Sequence, residues 1–326
     1  MSRIVAAMSP GRFPAPPASP PLASVVVPTY DRVGLVLGAV ESVLAQTETD
    51  LEVLVVDDGS SDGTQVVLRE RYADEPRVRI LRQEHLGISC ARNLGLQNAR
   101  GRFVGLLDSD DRWLPGFLRS QIELLERHPA AALAYADGRA QESRSGRPAT
   151  MRTNHDFLAP DSLQATFEGA WAYPSGWCLR TEALRAIPFD AAVDCNEDTD
   201  LLLRLFLGGW KTVANLEVLF AYEDGYERSG AERATADEVR MLSGRVAVLR
   251  RHLERAPDPR GARRHLRRTQ AHLALALARA GRWREARPLF LRWGVRLPTR
   301  PKALWLWLRS LVARRPLGPR RSGAAR

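Results

Sequence analysis

Three short apolar runs in the N-terminal part of this chain each stop at a polar segment that contains Asp. Ser24-Val25-Val26-Val27 is closed by Pro28-Thr29-Tyr30-Asp31, Glu52 to Val56 by Asp57-Asp58-Gly59-Ser60, and Phe103-Val104-Gly105-Leu106-Leu107 by Asp108-Ser109-Asp110-Asp111. Runs this short, apolar and rich in β-branched residues read as strands buried on both faces. Between and after them lie helical spacings: Gly34 to Gln46, Asp62 to Tyr72 with Asp62 as N-cap, and Ile88 to Asn98. Val78 to Leu81 is a further strand, Pro115 is placed to open a helix at its favoured first position, and Ala131 to Tyr135 is a fifth strand. The alternation predicts an α/β fold, a mostly parallel sheet with helices on both faces. Ligands of such sheets bind beyond the carboxyl ends of the strands, near a topological switch point. The three acidic clusters are therefore expected to meet in one crevice.

Carboxylates gathered where a buried strand ends are costly unless a cation lies between them. A divalent metal is one answer, and Mg²⁺ binds through one or two carboxylates plus substrate phosphates. Taken alone, Asp108-Ser109-Asp110-Asp111 reads equally well as a solvated turn. Convergence with the other two clusters favours a site for a metal–diphosphate.

Beyond residue 137 the alternation weakens. Residues 137–175 read as irregular, with Trp171 and Tyr173 inside, and Trp177-Cys178-Leu179 as a short strand. Asp198 to Leu207 is a helix with Leu201, Leu202 and Leu205 on its apolar face, and Asp200 and Arg204 are spaced to pair on its surface. Lys211 to Ala214 and Val218 to Tyr222 are strand-like. From Ala231 the pattern is helical, and Leu273 to Leu289 resembles a single tetratricopeptide-type helix pair, read here as an ordinary hairpin because such repeats need several copies. The expected organisation is a disordered, Pro- and Ala-rich leader (1–23), an α/β domain (24–230, with halves 24–136 and 137–230) and a helical region (231–326).

Charge divides along the same line. Residues 1–230 carry 23 Lys and Arg against 32 Asp and Glu, a net −9, whereas residues 231–326 carry 25 against 6, a net +19. The second part is either an Arg-rich helical surface or a surface drawn to an anionic partner, lipid headgroups or, ranked last, nucleic acid. Nucleic acid is not expected as a partner, because few aromatics are interleaved with these charges and no binding motif is present. The apolar run Ala303 to Leu308 is interrupted by Arg309 and too short to span a bilayer, yet its mixture of Trp, Leu and Arg suits a membrane interface. Three scattered cysteines, Cys90, Cys178 and Cys195, argue against a disulfide framework or zinc site and for a reducing compartment.

Five segments in order resemble the family 2 glycosyltransferases. They are Val25 to Asp31, Val55 to Thr64, Gly87-Ile88-Ser89-Cys90-Ala91-Arg92-Asn93, Leu107 to Asp111, and Asn196-Glu197-Asp198-Thr199-Asp200-Leu201. The resemblance implies the GT-A form of the α/β fold and an inverting, metal-dependent transfer from a nucleotide-diphospho-sugar to an acceptor hydroxyl. Pro28, Thr29 and Tyr30 would hold the nucleotide, with the Tyr30 ring against the base. Asp58 would accept from a base N–H of the kind uracil or thymine offers, which favours a UDP- or dTDP-sugar. Arg92 would face the nucleotide or diphosphate. Asp108 and Asp110 would organise Mg²⁺ or Mn²⁺, Asp110 as direct ligand. Asp198 would be the general base, with Glu197 as its competitor, and Trp177 and Glu197 would stand on the acceptor side.

The chain departs from that pattern after its last strand, where Tyr222-Glu223-Asp224-Gly225 lacks the His of the family's Tyr-Arg-x-His, leaving Asp224 as a substitute or a catalytically weak sugar-nucleotide binder as the alternative reading. His85 stands two residues before Gly87, where relatives often have Asn. The Gln-x-x-Arg-Trp motif and membrane helices of processive synthases are absent, so one sugar per encounter is expected. The acceptor is expected to be a glycan or lipid-linked glycan of the cell envelope, and the location cytoplasmic, peripheral on the inner face of the membrane.

Overall fold

The computed structural model describes residues 19–140, 162–169, 173–222 and 238–291. Eight strands form one sheet in the order β3-β2-β1-β4-β7-β6-β8-β5. They are β1 (Ala23–Thr29), β2 (Leu51–Asp57), β3 (Val78–Arg82), β4 (Phe103–Leu106), β5 (Asp111–Trp113), β6 (Ala131–Ala140), β7 (Trp177–Arg180) and β8 (Lys211–Tyr222). The helices are α1 (Val36–Leu44), α2 (Thr64–Arg71), α3 (Ile88–Asn98), α4 (Phe117–Arg127), α5 (Ser162–Phe167), α6 (Thr181–Ala186), α7 (Glu197–Leu207), α8 (Glu238–His252), α9 (Pro259–Arg279) and α10 (Trp283–Leu291).

The first four strands are parallel, as expected. Every residue of β1 and β2 is buried, which is what an unbroken apolar run predicts. From β4 onward the sheet is mixed. Strand β7 runs antiparallel to both β4 and β6, and β5 antiparallel to β8. The two strand-like runs after residue 211 are one strand, β8, whose pairing with β6 contains register shifts. Helix α4 starts at Phe117 behind a left-handed Gly116 (φ 89°), so Pro115 precedes the helix rather than opening it. Asp62 likewise sits one residue before the Gly63 cap of α2, although its carboxylate accepts from the Thr64 N–H at 3.0 Å. Helix α5 lies in the stretch expected to be irregular.

One apolar layer packs α1 and α4 on one face of the sheet, around Val25, Val27, Val40, Phe103, Phe117 and Leu118. The other packs α3, α6 and α7 on the opposite face, around Val26, Leu54, Ala91, Leu133, Trp177 and Leu201. Gly95 lets α3 lie directly on β1, because a Cβ there would stand 2.4 Å from a Val26 methyl. A third cluster joins Phe167 and Leu203 to Leu249, Leu266, Leu277 and Phe290, so the described helices of the basic region share a core with the sheet domain. The 1–18 part of the leader, Trp171, Glu223 to Gly225 and the 303–312 run lie outside the described residues.

The end of the sheet opposite the acidic clusters is fastened by Glu52, which is 2% exposed. It accepts from Ser24 Oγ (2.8 Å), the Arg100 N–H (2.8 Å) and Arg79 Nη1 (3.0 Å), and pairs with Arg100 Nη2 at 2.9 Å. Burial opposes the charge of Glu52, but the hydrogen bonds from Arg100, Ser24 and Arg79 outweigh it and hold the pKa below the ordinary value of 4.5. A lowered folded-state pKa contributes stability above the unfolded value and loses it as pH falls through the folded value. Glu52→Gln is therefore expected to cost about 3 kcal/mol at neutral pH. In urea unfolding the gap to wild type should narrow as pH falls below 4.5. A gap that stays constant with pH would assign the loss to packing rather than charge.

Candidate active site

Strand order 3-2-1-4 places the switch point between β1 and β4, and all three acidic clusters lie at the carboxyl ends of β1, β2 and β4. The structure thus brings Pro28, Thr29, Tyr30, Asp58, Arg92, Asp108, Asp110, Glu197 and Asp198 to this end of the sheet domain. Their contacts differ from residue to residue.

Asp57 is fully buried and works as turn chemistry: it accepts from the Ser60 N–H at 2.9 Å and pairs with Arg82 at 2.8 Å. Asp58 holds the loop between β3 and α3. Its carboxylate accepts from Gln83 Nε2 (2.6 Å) and from the N–H groups of Leu86 and Gly87 (both 2.9 Å), and His85 Nδ1 lies 3.0 Å away. That loop presses His85 against Tyr30, with ring centroids 3.9 Å apart and planes 23° apart. Tyr30 remains 40% exposed. Thr29 is buried in register with Asp57, and its Oγ1 has no hydrogen-bond partner. Pro28 is a buried residue of β1.

The Asp108–Asp111 turn is fastened from below by Ser175, in the 3₁₀ turn Pro174–Gly176. Its hydroxyl donates to Asp111 at 2.5 Å and accepts from the Asp108 N–H at 3.1 Å. The Ser175 carbonyl accepts from Trp113 Nε1 at 2.6 Å. Asp110 is held by Arg32, Nη1 to Oδ2 at 2.6 Å. Arg32 follows the Tyr30-Asp31 pair in sequence, but nothing local linked it to a carboxylate 78 residues on.

Arg92, expected to face the nucleotide or diphosphate, is not a free guanidinium. At 1% exposure it donates through Nη2 to Asp108 (2.9 Å) and through Nη1 to Glu197 (2.7 Å). Burial works against its charge, and Asp108 and Glu197 outweigh it, raising its pKa above the ordinary guanidinium value. The bridge ties the β4 turn to the first turn of α7.

Asn196 caps α7 in the left-handed region (φ 64°), and its side chain donates to the Met241 carbonyl of α8 at 2.9 Å. Gly244 of α8 lies against the same turn, where a Cβ would come within 2.6 Å of the Cys195 carbonyl oxygen. Asp198 accepts from the Thr199 N–H at 2.6 Å. Burial raises its pKa above the usual carboxylate range, opposed by that hydrogen bond and by Arg92 and Arg245. Glu197 is also raised, by burial first, with Arg92 opposing and the Asp198 charge adding. Asp200 is fully buried rather than on the surface, paired with Arg204 at 2.6 Å and His252 at 2.8 Å. It joins α7 to α8.

Trp177, expected on the acceptor side, is 0% exposed. It pairs with Leu106 on β4 and Tyr135 on β6, and shares its apolar layer with Leu201 and Leu205 of α7. A tryptophan enclosed by two strands and a helix cannot touch an acceptor. Cys178 is likewise a core residue, its thiol pushed up to about 12 by burial.

A family model described as Glycosyl transferase family 2 matches residues 24–187, half of the chain, and so covers the sheet from β1 through α6. The chain belongs to glycosyltransferase family 2. Among curated relatives, this glycosyltransferase is 40% identical to Escherichia coli chondroitin synthase over 119 residues, 36% of this chain and 17% of that protein. It is 37% identical over 112 residues to the putative teichuronic acid biosynthesis glycosyltransferase TuaG of Bacillus subtilis, 34% of this chain and 44% of that protein. The matched segments span less than half the length of either relative. Among solved structures, the mannosyltransferase PcManGT of Pyrobaculum calidifontis, in complex with GDP-Man and Mn²⁺, superposes with TM-score 0.60 at 21% identity, over 94% of this chain and 84% of that one. Staphylococcus aureus TarS in complex with UDP-GlcNAc superposes with TM-score 0.58 at 19% identity, over 88% and 87%. These likenesses identify the fold of this family 2 glycosyltransferase as GT-A. Among the described residues, no helix is long and apolar enough to cross a membrane.

Proposed function

We propose that this glycosyltransferase moves one sugar per encounter from a nucleotide-diphospho-sugar to an acceptor hydroxyl, with inversion at the anomeric carbon. The observation that carries the reading is the buried Arg92 bridge. It couples Asp108, where a donor diphosphate would end, to Glu197, the chain neighbour of Asp198, where an acceptor would be deprotonated. Asp198 takes the proton of the acceptor hydroxyl as that oxygen bonds to the anomeric carbon. The bond to the nucleoside diphosphate breaks, and its electron pair leaves with the diphosphate. Burial suits Asp198 to this task, because a raised pKa makes a carboxylate a stronger base. Tyr30 and His85 offer the ring surface for a base, and the Gln83–Asp58 pair offers the polar edge that would read a UDP- or dTDP-type donor.

A divalent cation fits the donor set. Asp110 already holds a cation, the Arg32 guanidinium at 2.6 Å, and Asp108 and Asp110 supply the hard oxygen ligands that Mg²⁺ and Mn²⁺ prefer. Among the described residues no group of three or more His, Cys, Asp or Glu is assembled, so phosphate oxygens and water would complete the shell. When bound, the metal would neutralise charge on the departing diphosphate. The test is a screen of UDP-, dTDP- and GDP-sugars for thermal stabilisation that depends on Mg²⁺ or Mn²⁺. Asp110→Asn is expected to weaken the metal-dependent part on the order of tenfold or more, read for each protein against its own melting temperature without ligand. Undiminished metal-dependent binding in that variant would reject Asp110 as ligand.

The polysaccharide-forming relatives support a cell-envelope glycan or glycolipid as acceptor. The net +19 of residues 231–326 supports peripheral attachment to anionic lipid. Full-length protein should sediment with anionic liposomes at low salt and be released at high salt. Protein that stays in the supernatant at low salt rejects the attachment.

A further inference from the structure

We propose that Arg245, with His265 beside it, forms a site for an anionic group of the acceptor, a phosphate or a carboxylate. The inference rests on the reading of Asp198 as the base, since it places the acceptor next to that residue.

Arg245 lies on α8, directly after the Met241–Gly244 segment that docks on Cys195 and Asn196. It is brought to the Asp198 turn by the helical region, from a different set of elements than Arg92. The two guanidiniums are differently provided for. Arg92 is buried between two carboxylates. Arg245 is half-buried, and its hydrogen bond goes to a neutral acceptor, the Gly169 carbonyl, at 3.3 Å. Among the described residues no carboxylate comes within ion-pair distance of it. A guanidinium drawn partly out of water without an anion is costly, and its planar fork suits an oxyanion. The burial pushes its pKa below the ordinary value, with the more distant charge of Asp198 opposing.

His265 of α9 adds an independent observation. Its Nε2 is buried and has no hydrogen-bond partner. The ring packs against Gly169, where a Cβ would stand 2.6 Å from Cε1, and the left-handed φ of 104° there is one that glycine tolerates. The groups whose charges reach His265 are Arg245, Arg268 and His272, with Glu168 as the acidic neighbour. Glu168 is exposed and bonded to Gln164 at 2.9 Å. Burial and the neighbouring cations push the imidazole down to about 4, so it is neutral near neutral pH. His265, whose buried Nε2 has no partner, and Arg245, which bonds a neutral carbonyl and no carboxylate, both adjoin Gly169, and in the tautomer with the proton on Nε2 both can donate to one oxyanion. An oxyanion would satisfy both.

The test measures binding to the full chain, with UDP and Mn²⁺ present and ionic strength held constant. The probes are glucose, glucose 6-phosphate and glucuronic acid, read by ligand-observed NMR. At least one anionic sugar should bind about tenfold more tightly than glucose, and the tighter of the two identifies the group. Arg245→Gln should remove the preference, Arg245→Lys should keep part of it, and His265→Gln should weaken it. Circular-dichroism melts establish that each variant is folded. If Arg245→Gln does not fold, the Lys and His265 variants decide. Three sugars that bind alike, or a preference that survives in Arg245→Gln, would overturn the proposal. Asp198→Asn separates the two readings. It should lose turnover and keep the anion preference. Near-normal turnover in it would reject the base assignment and, with it, the placement of this anion site on an acceptor.

Discussion

Asp198→Asn is expected to bind the nucleotide-sugar with its metal as wild type does and to lose turnover on the order of a hundredfold or more. The carboxamide keeps the shape of the side chain and still accepts from the Thr199 N–H, so the first turn of α7 and the Arg92 bridge to Glu197 remain. What disappears is the site that receives the proton. The pH profile gives a second check. A base must be deprotonated to work, and burial raises the pKa of Asp198. Wild-type turnover should therefore fall on the acid side through a pKa above the usual aspartate range, even where donor binding is still saturated. A variant that turns over at a near-normal rate would move the role to Glu197, whose raised pKa gives it the same qualification. A product with retained anomeric configuration would reject direct displacement altogether.

The parts of this fold legible in the sequence are those determined by neighbours along the chain. The apolar runs that became β1, β2, β3 and β4, the helical spacing of α3, and the position of the acidic clusters at strand ends all follow from local pattern. The cap of α7 was nearly so: the predicted start at Asp198 lies one residue after Glu197. What local pattern could not give was anything decided across the sheet. Trp177 sits in a short strand, and a short strand can be an exposed edge or a buried centre. Only its insertion between β4 and β6 makes it core. The antiparallel direction of β7 shows only in its pairing with β4 and β6, and the preceding sequence has too little periodicity to predict it. The polar β-strand ends were legible, but the pairing of the cations that hold them was not. Arg32 meets Asp110 across 78 residues, and Arg92 meets Glu197 across 105. Arg245 arrives from α8, outside the segment that matches the family. Arginines on helices are common, and sequence offers no sign of which will be drawn into the interior.

Arg92 ties the β4 turn to the first turn of α7, and Arg92→Met is expected to be the most damaging single change in the chain. The methionine fills much of the space but leaves Asp108 and Glu197 without their shared cation. Removing one partner from a buried ionic group costs about 3–5 kcal/mol, because the charges left behind remain out of water. Glu197 bears most of this, since it is the more deeply placed of the two, with 12% of its side chain exposed against 31% for Asp108. Its pKa is already raised by burial, and Arg92 is what holds it down. Without Arg92 it should rise further. A carboxylate whose folded-state pKa lies above its unfolded value destabilises the fold at neutral pH, and the penalty shrinks as pH falls and the group takes up a proton. The deficit of Arg92→Met in urea unfolding should therefore be greatest at neutral pH and narrow toward acid. Adding Glu197→Gln should recover part of it by removing the stranded charge. A deficit that is the same at every pH, or a double variant no more stable than Arg92→Met alone, would mean that Arg92 acts through packing on Phe189, whose ring centroid lies 5.2 Å from the guanidinium carbon, and not through the two carboxylates.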